Sequence, residues 1–289
     1  MKKNDFFNLI NSNETEYIME AHNAISAKIV ENAGFHGIWG SGLTISASLG
    51  FRDNNEASYT DIFNVANTIT KNINIPVVLD IDSGYGNFNN ARLCVKEANK
   101  IGISALCIED KMYPKMNSYV NNTQLLIDSD VFVNKILAMK EVQKDFENPI
   151  GIIARTEALI TNNGLGEALR RADKYADAGA DAIFIHSKRN NIGEISEFMK
   201  RWDKRLPVII SPTTYDNTNP KIYSEIGIGI VIWGNYMLRA SIEAMERVSK
   251  KIQFNRTPEV VRKDICDVQQ IFDLVNLDEY LVLENKYMV

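Results

Sequence analysis

Cysteine and histidine are scarce in this chain of 289 residues, with three of each. The cysteines are an odd number, lie far apart and form no CxxC pair, which predicts reduced structural thiols rather than a disulfide framework. The histidines, His22, His36 and His186, are too few and too dispersed to predict a three-histidine zinc site. We therefore expect neither disulfide nor zinc chemistry.

Long apolar runs and an excess of positive charge are missing as well. No segment approaches the roughly 18 apolar residues of a membrane span, and residues 1–17 lack the apolar stretch of a signal peptide. The net charge is −5 and the lysines and arginines are scattered, which argues against a nucleic-acid partner. Together with the reduced cysteines, these absences predict a cytoplasmic protein with neither a membrane nor a nucleic acid as partner.

The sequence does contain a repeated alternation of short apolar runs with longer segments of helical period. The apolar runs, rich in Val and Ile, lie at residues 18–20, 38–39, 77–79, 106–108, 150–154, 183–185, 208–210 and 230–233. The helical segments lie at residues 57–71, 89–100, 131–146, 166–178, 194–202 and 238–252. Four helices are expected to close in the left-handed conformation that glycine accepts, just before a strand, at Gly34, Gly102, Gly179 and Gly227.

This alternation predicts a (β/α)8 barrel. Eight runs that are apolar on both faces indicate strands covered on both sides, as a parallel sheet requires. The rival fold, a doubly wound open sheet, needs a glycine-rich phosphate turn after its first strand, and residues 22–24 read His-Asn-Ala instead. No linker divides the chain, so one barrel domain is expected over residues 1–289, with an N-terminal helix and a C-terminal helical extension.

In such a barrel, chemistry takes place where the strands end. Polar residues follow nearly every predicted strand: Glu20, His22, Asn23, Ser41, Gly42, Asp80, Asp82, Glu109, Asp110, Arg155, Glu157, His186, Ser187, Ser211, Thr213 and Asn235. A purely structural barrel has no reason to concentrate acids and an arginine at one rim.

Three of these residues form a candidate metal site. Asp80 and Asp82 end one run and Glu109 ends the next. Residues two apart on a strand share a face, so the two aspartates are expected to converge. Adjacent carboxylates repel unless a cation or proton lies between them, and three oxygen donors favour Mg²⁺ or Mn²⁺ over zinc. For the two aspartates alone, capping of backbone amides in the next loop is an equal alternative.

Arg155 and His186 come at or just after the ends of the fifth and sixth strands. An arginine at a barrel rim can hold a phosphate or a carboxylate with two parallel hydrogen bonds. Its alternative is an internal salt bridge with Glu157 or Glu109. His186 could donate a hydrogen bond to a phosphoryl oxygen, or could equally be a structural histidine.

Two segments near the second strand add further candidates. Residues 39–43, Trp-Gly-Ser-Gly-Leu, offer backbone amides to an anion because glycine permits close approach. Asp53, in the sequence RDNNE, is a candidate nucleophile or electrostatic participant, although an aspartate in such a context is more often a helix cap.

The stretch EDKMYPKMNS at residues 109–118 runs from a strand end into further polar residues up to Thr123. Long rim loops of this kind often act as lids that exclude water. Lys115 and Asn117 are therefore expected to reach an anionic substrate when the loop closes.

These strings together resemble the isocitrate lyase/phosphoenolpyruvate mutase superfamily over residues 6–272. The resemblance rests on residues 19–58, which include EAHN, WGSG and FRDNNEAS, on LDIDSGYGNFNNAR at 79–92, EDKMYPKMNS at 109–118, ARTEALI at 154–160, IFIHSK at 183–188 and VIWGNYMLRAS at 231–241. The pattern EDK, five residues, then NS marks the mutase branch.

The resemblance implies a barrel whose last helix is swapped between subunits of a homodimer or homotetramer. It implies conversion between phosphoenolpyruvate and 3-phosphonopyruvate, that is, formation of a C–P bond by intramolecular phosphoryl transfer, with Mg²⁺ or Mn²⁺ as cofactor. The implied residues are Asp80, Asp82 and Glu109 for the metal, Trp39, Ser41, Gly42 and Leu43 for substrate, and Asp53, Lys115, Asn117, Arg155 and His186 for catalysis.

The sequence bears on three alternatives to the mutase. Lyases of the superfamily carry Cys-Gly-His in the loop, where this chain has Met116, Asn117 and Ser118, so the thiol that lyases use as an acid/base group is missing there. Phosphonopyruvate hydrolases share the metal acids, and Asn117 in place of threonine favours the mutase over them. A metabolite-binding barrel without catalysis is the third alternative.

Overall fold

The computed structural model describes residues 5–118 and 124–288. Its contacts divide the chain into two compact units, with the boundary after Tyr236. The first unit contains eight strands that form one closed parallel barrel in sequence order, in which β8 pairs with β1. The strands are β1 Glu16–Ala21, β2 Ile38–Gly40, β3 Val77–Asp80, β4 Ala105–Glu109, β5 Gly151–Thr156, β6 Ala182–Ile185, β7 Val208–Ile210 and β8 Ile230–Trp233. The prediction of a (β/α)8 barrel is confirmed.

The helices alternate with the strands. They are α1 Asp5–Ile10, α2 Ala24–Asn32, α3 Gly42–Ser48, α4 Tyr59–Asn72, α5 Phe88–Ile101, α6 Ser129–Glu141, α7 Gly164–Asp177, α8 Gly193–Arg201, α9 Pro220–Glu225, α10 Tyr236–Asn255, α11 Val268–Leu274 and α12 Leu277–Tyr287. The six predicted helical segments correspond to α4, α5, α6, α7, α8 and α10. Helix α3 was not predicted, and of α2 and α9 only the glycine ends at Gly34 and Gly227 were predicted.

One predicted helix end is wrong. Helix α6 ends at Glu141 rather than at residue 146. Beyond it the chain makes tight turns, in which the amide of Phe146 donates to the carbonyl of Gln143. The side chain of Gln143 then accepts a hydrogen bond from the amide of Ile150 at 2.7 Å, just before β5. Ending the helix early therefore places Gln143 where it satisfies a buried amide.

The predicted glycine ends of the helices are confirmed. Gly34, Gly102, Gly179 and Gly227 all have φ between 81° and 91°. Gly102 caps α5, and its amide donates to the carbonyl of Ala98. Residues with a side chain seldom adopt this conformation, so each glycine fixes where its helix turns into the next strand.

The interior of the barrel is closed at its amino end by α1. Phe6, Leu9 and Ile10 belong to the same buried cluster as side chains from the strands. Phe6 lies so close to the start of β5 that a Cβ added at Gly151 would be 2.2 Å from the Phe6 Cε1 atom. The amino end is thus packed with apolar side chains, which leaves the carboxyl ends of the strands for a site.

The second unit begins at Met237 and is helical, with most of α10, a 3₁₀ turn at Pro258–Val261, α11 and α12. No residue of α10 is buried, and its Met245 and Phe254 are exposed. Among the described residues, no helix combines the length and apolar character needed to cross a membrane.

Candidate active site

A polar cavity opens where the strands end. Its free volume is about 60 Å³. The lining residues come from the ends of six strands and from two loops: Trp39, Ser41, Leu43, Asp53, Asp80, Lys115, Asn117, Ser118, Arg155, Phe184, His186, Ser211, Thr213, Gly234 and Asn235. Nine of the twelve residues that the resemblance implies for the metal, the substrate or catalysis are in this set. The other three, Gly42, Asp82 and Glu109, contact its members, as described below.

Asp80 and Asp82 converge, but by a different route from the one predicted. Strand β3 ends at Asp80, and Asp82 lies beyond it with φ 52°, in a left-handed turn. The amide of Asp82 donates to Asp80 Oδ1 at 3.0 Å, so the capping alternative holds for that oxygen. The other Asp80 oxygen, Oδ2, lies 3.9 Å from Arg155 Nη1 and 3.6 Å from the Cβ position of Gly42.

The three acids fit a hard divalent cation. Among the described residues, Glu109 Oε1 is buried without a hydrogen-bond partner. Burial raises the pKa of Asp82 to about 7, opposed by Lys115 and reinforced by Asp80. Burial likewise raises the pKa of Glu109, against the effects of Lys111 and Arg155. Carboxylates that resist ionisation in this way become charged when a cation lies beside them.

The space beside these acids depends on Gly42. A Cβ at this position would lie 2.9 Å from Asp82 Oδ1, so a larger residue would crowd this carboxylate. In the described part of the chain, no group of three or more acid, histidine or cysteine side chains is close enough to enclose an ion directly. A cation held by these residues would therefore complete its coordination with water molecules.

The rim loop, defined here as residues 112–118 and 124–125, lies over the acids. Lys115 Nζ is 2.8 Å from Asp53 Oδ1 and 2.6 Å from Asp82 Oδ1. Asn117 donates to Asp53 Oδ2 at 2.5 Å. The predicted continuation of the loop, residues 121–123, lies outside the described residues. Lys115 and Asn117 thus line the cavity, and their contact with an anionic substrate stays a prediction.

Asp53 is held as an anion. Burial alone would raise its pKa, but Lys115 and the hydrogen bond from Asn117 bring it below the usual value. The alternative of a helix cap is wrong, because Ser58 caps α4. Asn55, which the sequence analysis did not single out, donates to Asp82 Oδ2 at 2.7 Å and accepts from the amide of Lys115 at 2.7 Å. It connects the two loops.

Arg155 forms the internal ion pair that the sequence analysis weighed against substrate binding. Its Nε lies 2.6 Å from Glu157 Oε1 and 3.4 Å from Glu109 Oε2. Its guanidinium also lies over the Phe184 ring, 4.9 Å from the centroid. The pair uses Nε, whereas the residue still lines the cavity. The ion pair and a role at the rim are therefore compatible.

His186 lies between two charged groups. Its Nδ1 is 3.0 Å from Arg155 Nη2 and 3.2 Å from Glu157 Oε1. Burial, followed by the charge of Arg155, lowers the pKa of His186. A neutral imidazole at neutral pH is the consequence.

Lys111 and Ser118 complete a buried cluster that the sequence analysis quoted but did not select. Ser118 Oγ donates to Glu157 Oε2 at 2.7 Å and accepts from Lys111 Nζ at 2.7 Å and from Arg155 Nη2 at 3.2 Å. Burial would raise the pKa of Glu157, but Arg155, Lys111 and His186 hold it well below its usual value. The negative charge of Glu157 thus balances the positive charges of Arg155 and Lys111.

The opposite wall of the cavity is formed by the ends of β7 and β8. Ser211 Oγ donates to the carbonyl of Ile232 at 3.2 Å and lies 3.3 Å from Thr213 Oγ1. A Cβ at Gly234 would lie 2.9 Å from Ser211 Oγ. Sequence analysis placed Ser211, Thr213 and Asn235 at strand ends without assigning them a role, because the types of residue alone did not distinguish them.

The two remaining histidines make pairs away from the cavity lining. His22 Nδ1 lies 2.8 Å from Glu20 Oε1, and His36 Nδ1 lies 2.8 Å from Glu16 Oε2. Neither histidine is therefore part of the cavity lining.

Comparisons with known proteins agree with this architecture. The phosphoenolpyruvate phosphomutase family pattern matches residues 6–253. A phosphoenolpyruvate phosphomutase of Tetrahymena pyriformis is 44% identical over 97% of this chain and 93% of its own length. The crystal structure of a phosphoenolpyruvate phosphomutase from Streptomyces platensis subsp. rosaceus is 36% identical, with a TM-score of 0.97 over 100% of both chains. A phosphonopyruvate hydrolase in complex with oxalate and Mg²⁺ is 34% identical, with a TM-score of 0.92 over 100% of both chains.

The family match includes every residue of the cavity, and the Tetrahymena pyriformis relative aligns with 97% of the chain. The chain belongs to the phosphoenolpyruvate phosphomutase family.

Proposed function

We propose that this chain is a phosphoenolpyruvate mutase, which interconverts phosphoenolpyruvate and 3-phosphonopyruvate with Mg²⁺, or Mn²⁺, as cofactor. The observation that carries the proposal is the contact between Asn117 and Asp53, 2.5 Å apart. It brings the EDK–NS loop of the mutase branch over a cavity that both acids and Arg155 line.

The proposed metal ligands are Asp80, Asp82 and Glu109. A Mg²⁺ ion bound there supplies Lewis-acid stabilisation of the negative charge on the enolate oxygen and carboxylate of pyruvate, worth several kcal/mol. The uncovered oxygen of Glu109 supports this assignment. The backbone and side chains of residues 39–43, including Trp39, Ser41, Gly42 and Leu43, are proposed to hold the rest of the substrate.

The phosphoryl group is proposed to lie among Arg155, His186, Asn117 and Lys115. A metaphosphate-like transition state spreads negative charge over three oxygens, and these side chains supply donors to them. Asp53, kept ionised by Lys115, is proposed either to accept the phosphoryl group on a carboxylate oxygen or to guide it by its charge. The rim loop keeps water away, because water would capture the phosphoryl group as phosphate.

The experiment is to incubate phosphonopyruvate with the protein and Mg²⁺ and to follow the products by ³¹P NMR. A mutase gives phosphoenolpyruvate, and the phosphonate signal is replaced by a phosphate-ester signal. A phosphonopyruvate hydrolase, which a TM-score of 0.92 keeps as the second candidate, gives inorganic phosphate instead. If neither product formed, the third alternative, a metabolite-binding barrel, would be supported. Chelation with EDTA is expected to stop turnover, and added Mg²⁺ to restore it.

We also propose a cytoplasmic homodimer or homotetramer in which the last helix is exchanged between subunits. The exposed apolar residues of α10, among them Met245 and Phe254, support an interface on this helix. Light scattering coupled to size-exclusion chromatography tests the proposal, and a monomer at micromolar concentration would contradict it.

A further inference from the structure

A second buried ionic cluster lies behind the proposed site and outside its lining. At its centre is Asp110, which is completely buried and follows Glu109 in the chain. Its carboxylate accepts hydrogen bonds from Thr156 Oγ1 at 3.0 Å, from the amide of Glu157 at 2.9 Å, from Arg171 Nη1 at 3.1 Å and from Tyr175 OH at 2.7 Å.

Arg171 extends this cluster to the far end of the rim loop. Its Nη2 donates to the carbonyl of Ile127 at 3.0 Å, and its Nε donates to Glu167 Oε1 at 2.6 Å. The amide of Ile127 donates to the carbonyl of Asp110 at 2.9 Å. Both polar backbone groups of Ile127 are therefore held by the Asp110–Arg171 pair.

The two ends of the rim loop meet at this point. The amide of Met112 donates to the carbonyl of Leu125 at 2.9 Å, and Lys111 forms an antiparallel bridge with Leu126. Together with the bond from Ile127 to Asp110, these contacts close the base of the loop. The planar guanidinium of Arg171 joins that base to the carboxylate of Asp110 and to α7, because it has several donors in a fixed geometry.

We infer that Arg171 and Asp110 are positioning residues that fix the base of the rim loop over the proposed active site. They touch neither the cavity nor the proposed metal, and act through Glu109, Glu157 and the loop. The inference rests on the proposed function for its chemical consequence. A loop held loosely at its base admits water, and phosphonopyruvate then reacts with water to give pyruvate and inorganic phosphate instead of phosphoenolpyruvate.

The test compares Arg171→Met with Arg170→Met. Arg170 is the adjacent residue and bonds to the same Glu167, at 2.6 Å and 2.7 Å, but its third bond is to Ser129 rather than to Asp110 or Ile127. The first readout is the ratio of inorganic phosphate to phosphoenolpyruvate formed from phosphonopyruvate, by ³¹P NMR. This ratio does not depend on the fraction of folded enzyme, so a loss of stability alone leaves it unchanged.

In Arg171→Met we expect the ratio to rise on the order of tenfold, equivalent to about 1.4 kcal/mol between the two barriers. In Arg170→Met we expect the wild-type ratio. Arg171→Lys, which keeps the charge without the planar fork, is expected to fall between them. An unchanged ratio in Arg171→Met would overturn the inference.

The second readout is hydrogen exchange at the amides of Met112 and Ile127, which close the loop base. Both amides are expected to exchange faster in Arg171→Met and at the wild-type rate in Arg170→Met. This measurement needs no turnover. If the wild-type protein formed neither product, the proposed function would fail while exchange still tested the loop base, and equal exchange in the two variants would refute the positioning role.

Discussion

Arg155 uses different nitrogen atoms for its internal ion pair and for the cavity. Nε faces Glu157, while Nη1 lies on the side of Asp80 at 3.9 Å. An arginine tied to a buried carboxylate loses little side-chain entropy on binding an anion, because its rotamer is already fixed. From the sequence alone the ion pair and substrate binding were treated as alternatives, but the guanidinium has enough donors for both.

At the same scale, Asp53→Ala is expected to lower turnover of phosphonopyruvate by roughly two to three orders of magnitude, the range seen when one preorganised electrostatic group is removed. The fold should persist, since Asp53 contacts loop residues rather than the barrel core. Steady-state kinetics and circular dichroism measure the two effects.

The matched control for this variant is Glu56→Ala. It removes a carboxylate from the same loop, but the ion-pair partner of this carboxylate is the exposed Arg52. Its turnover should stay close to that of wild type. Near-wild-type turnover in Asp53→Ala would remove Asp53 from the mechanism.

At the scale of elements, the rim loop depends on Asn117. Asn117→Ala deletes the donor to Asp53 and one proposed donor to the phosphoryl group. We expect kcat to fall by about two orders of magnitude or more. Met116→Ala is the control, because its exposed side chain is removed while the backbone carbonyl that accepts from Lys111 remains. Equal rates in the two variants would show that the Asn117 side chain does not act on the substrate.

The helix ends allow a stability prediction. Gly102 caps α5 at φ 81° with open space around its Cβ position, whereas Gly166, in the first turns of α7, has no positive φ and equal space. Gly102→Ala is therefore expected to destabilise the protein by about 1 kcal/mol through backbone strain alone. Gly166→Ala should instead stabilise it by about 0.5–1 kcal/mol. Urea unfolding measures both, and shifts of the same sign would contradict the explanation.

The strands could be predicted from the sequence because each contains a short apolar run, and a glycine or proline precedes every strand from β2 to β8. Helix α3 could not be predicted, since its 7 residues give too few turns for a helical period. For α2 and α9, only the glycine ends at Gly34 and Gly227 were predicted. Asn55 was missed for another reason. Its importance comes from a contact with Lys115, 60 residues later, and no local pattern encodes such a contact. The sequence Asp-Ile-Asp also gave no indication that Asp82 adopts a left-handed conformation.

For the whole molecule, α1 is expected to be a major source of stability. Phe6 is fully buried in the cluster that closes the amino end of the barrel. Phe6→Ala is expected to cost about 3–5 kcal/mol, the usual range for a phenylalanine removed from a core. Phe7→Ala, at a partly buried neighbour of the same cluster, should cost less. Urea unfolding gives both values, and equal costs would contradict the assigned packing.

Because α1 and the barrel side chains fill the amino end, a molecule that enters the cavity at the carboxyl end has to leave by the same route. A cavity with one opening suits a reaction that rearranges one molecule into another of identical composition, because there is no second product that has to leave past the first. It also means that reactant and rearranged product exclude each other sterically. Each should therefore inhibit conversion of the other in a strictly competitive way.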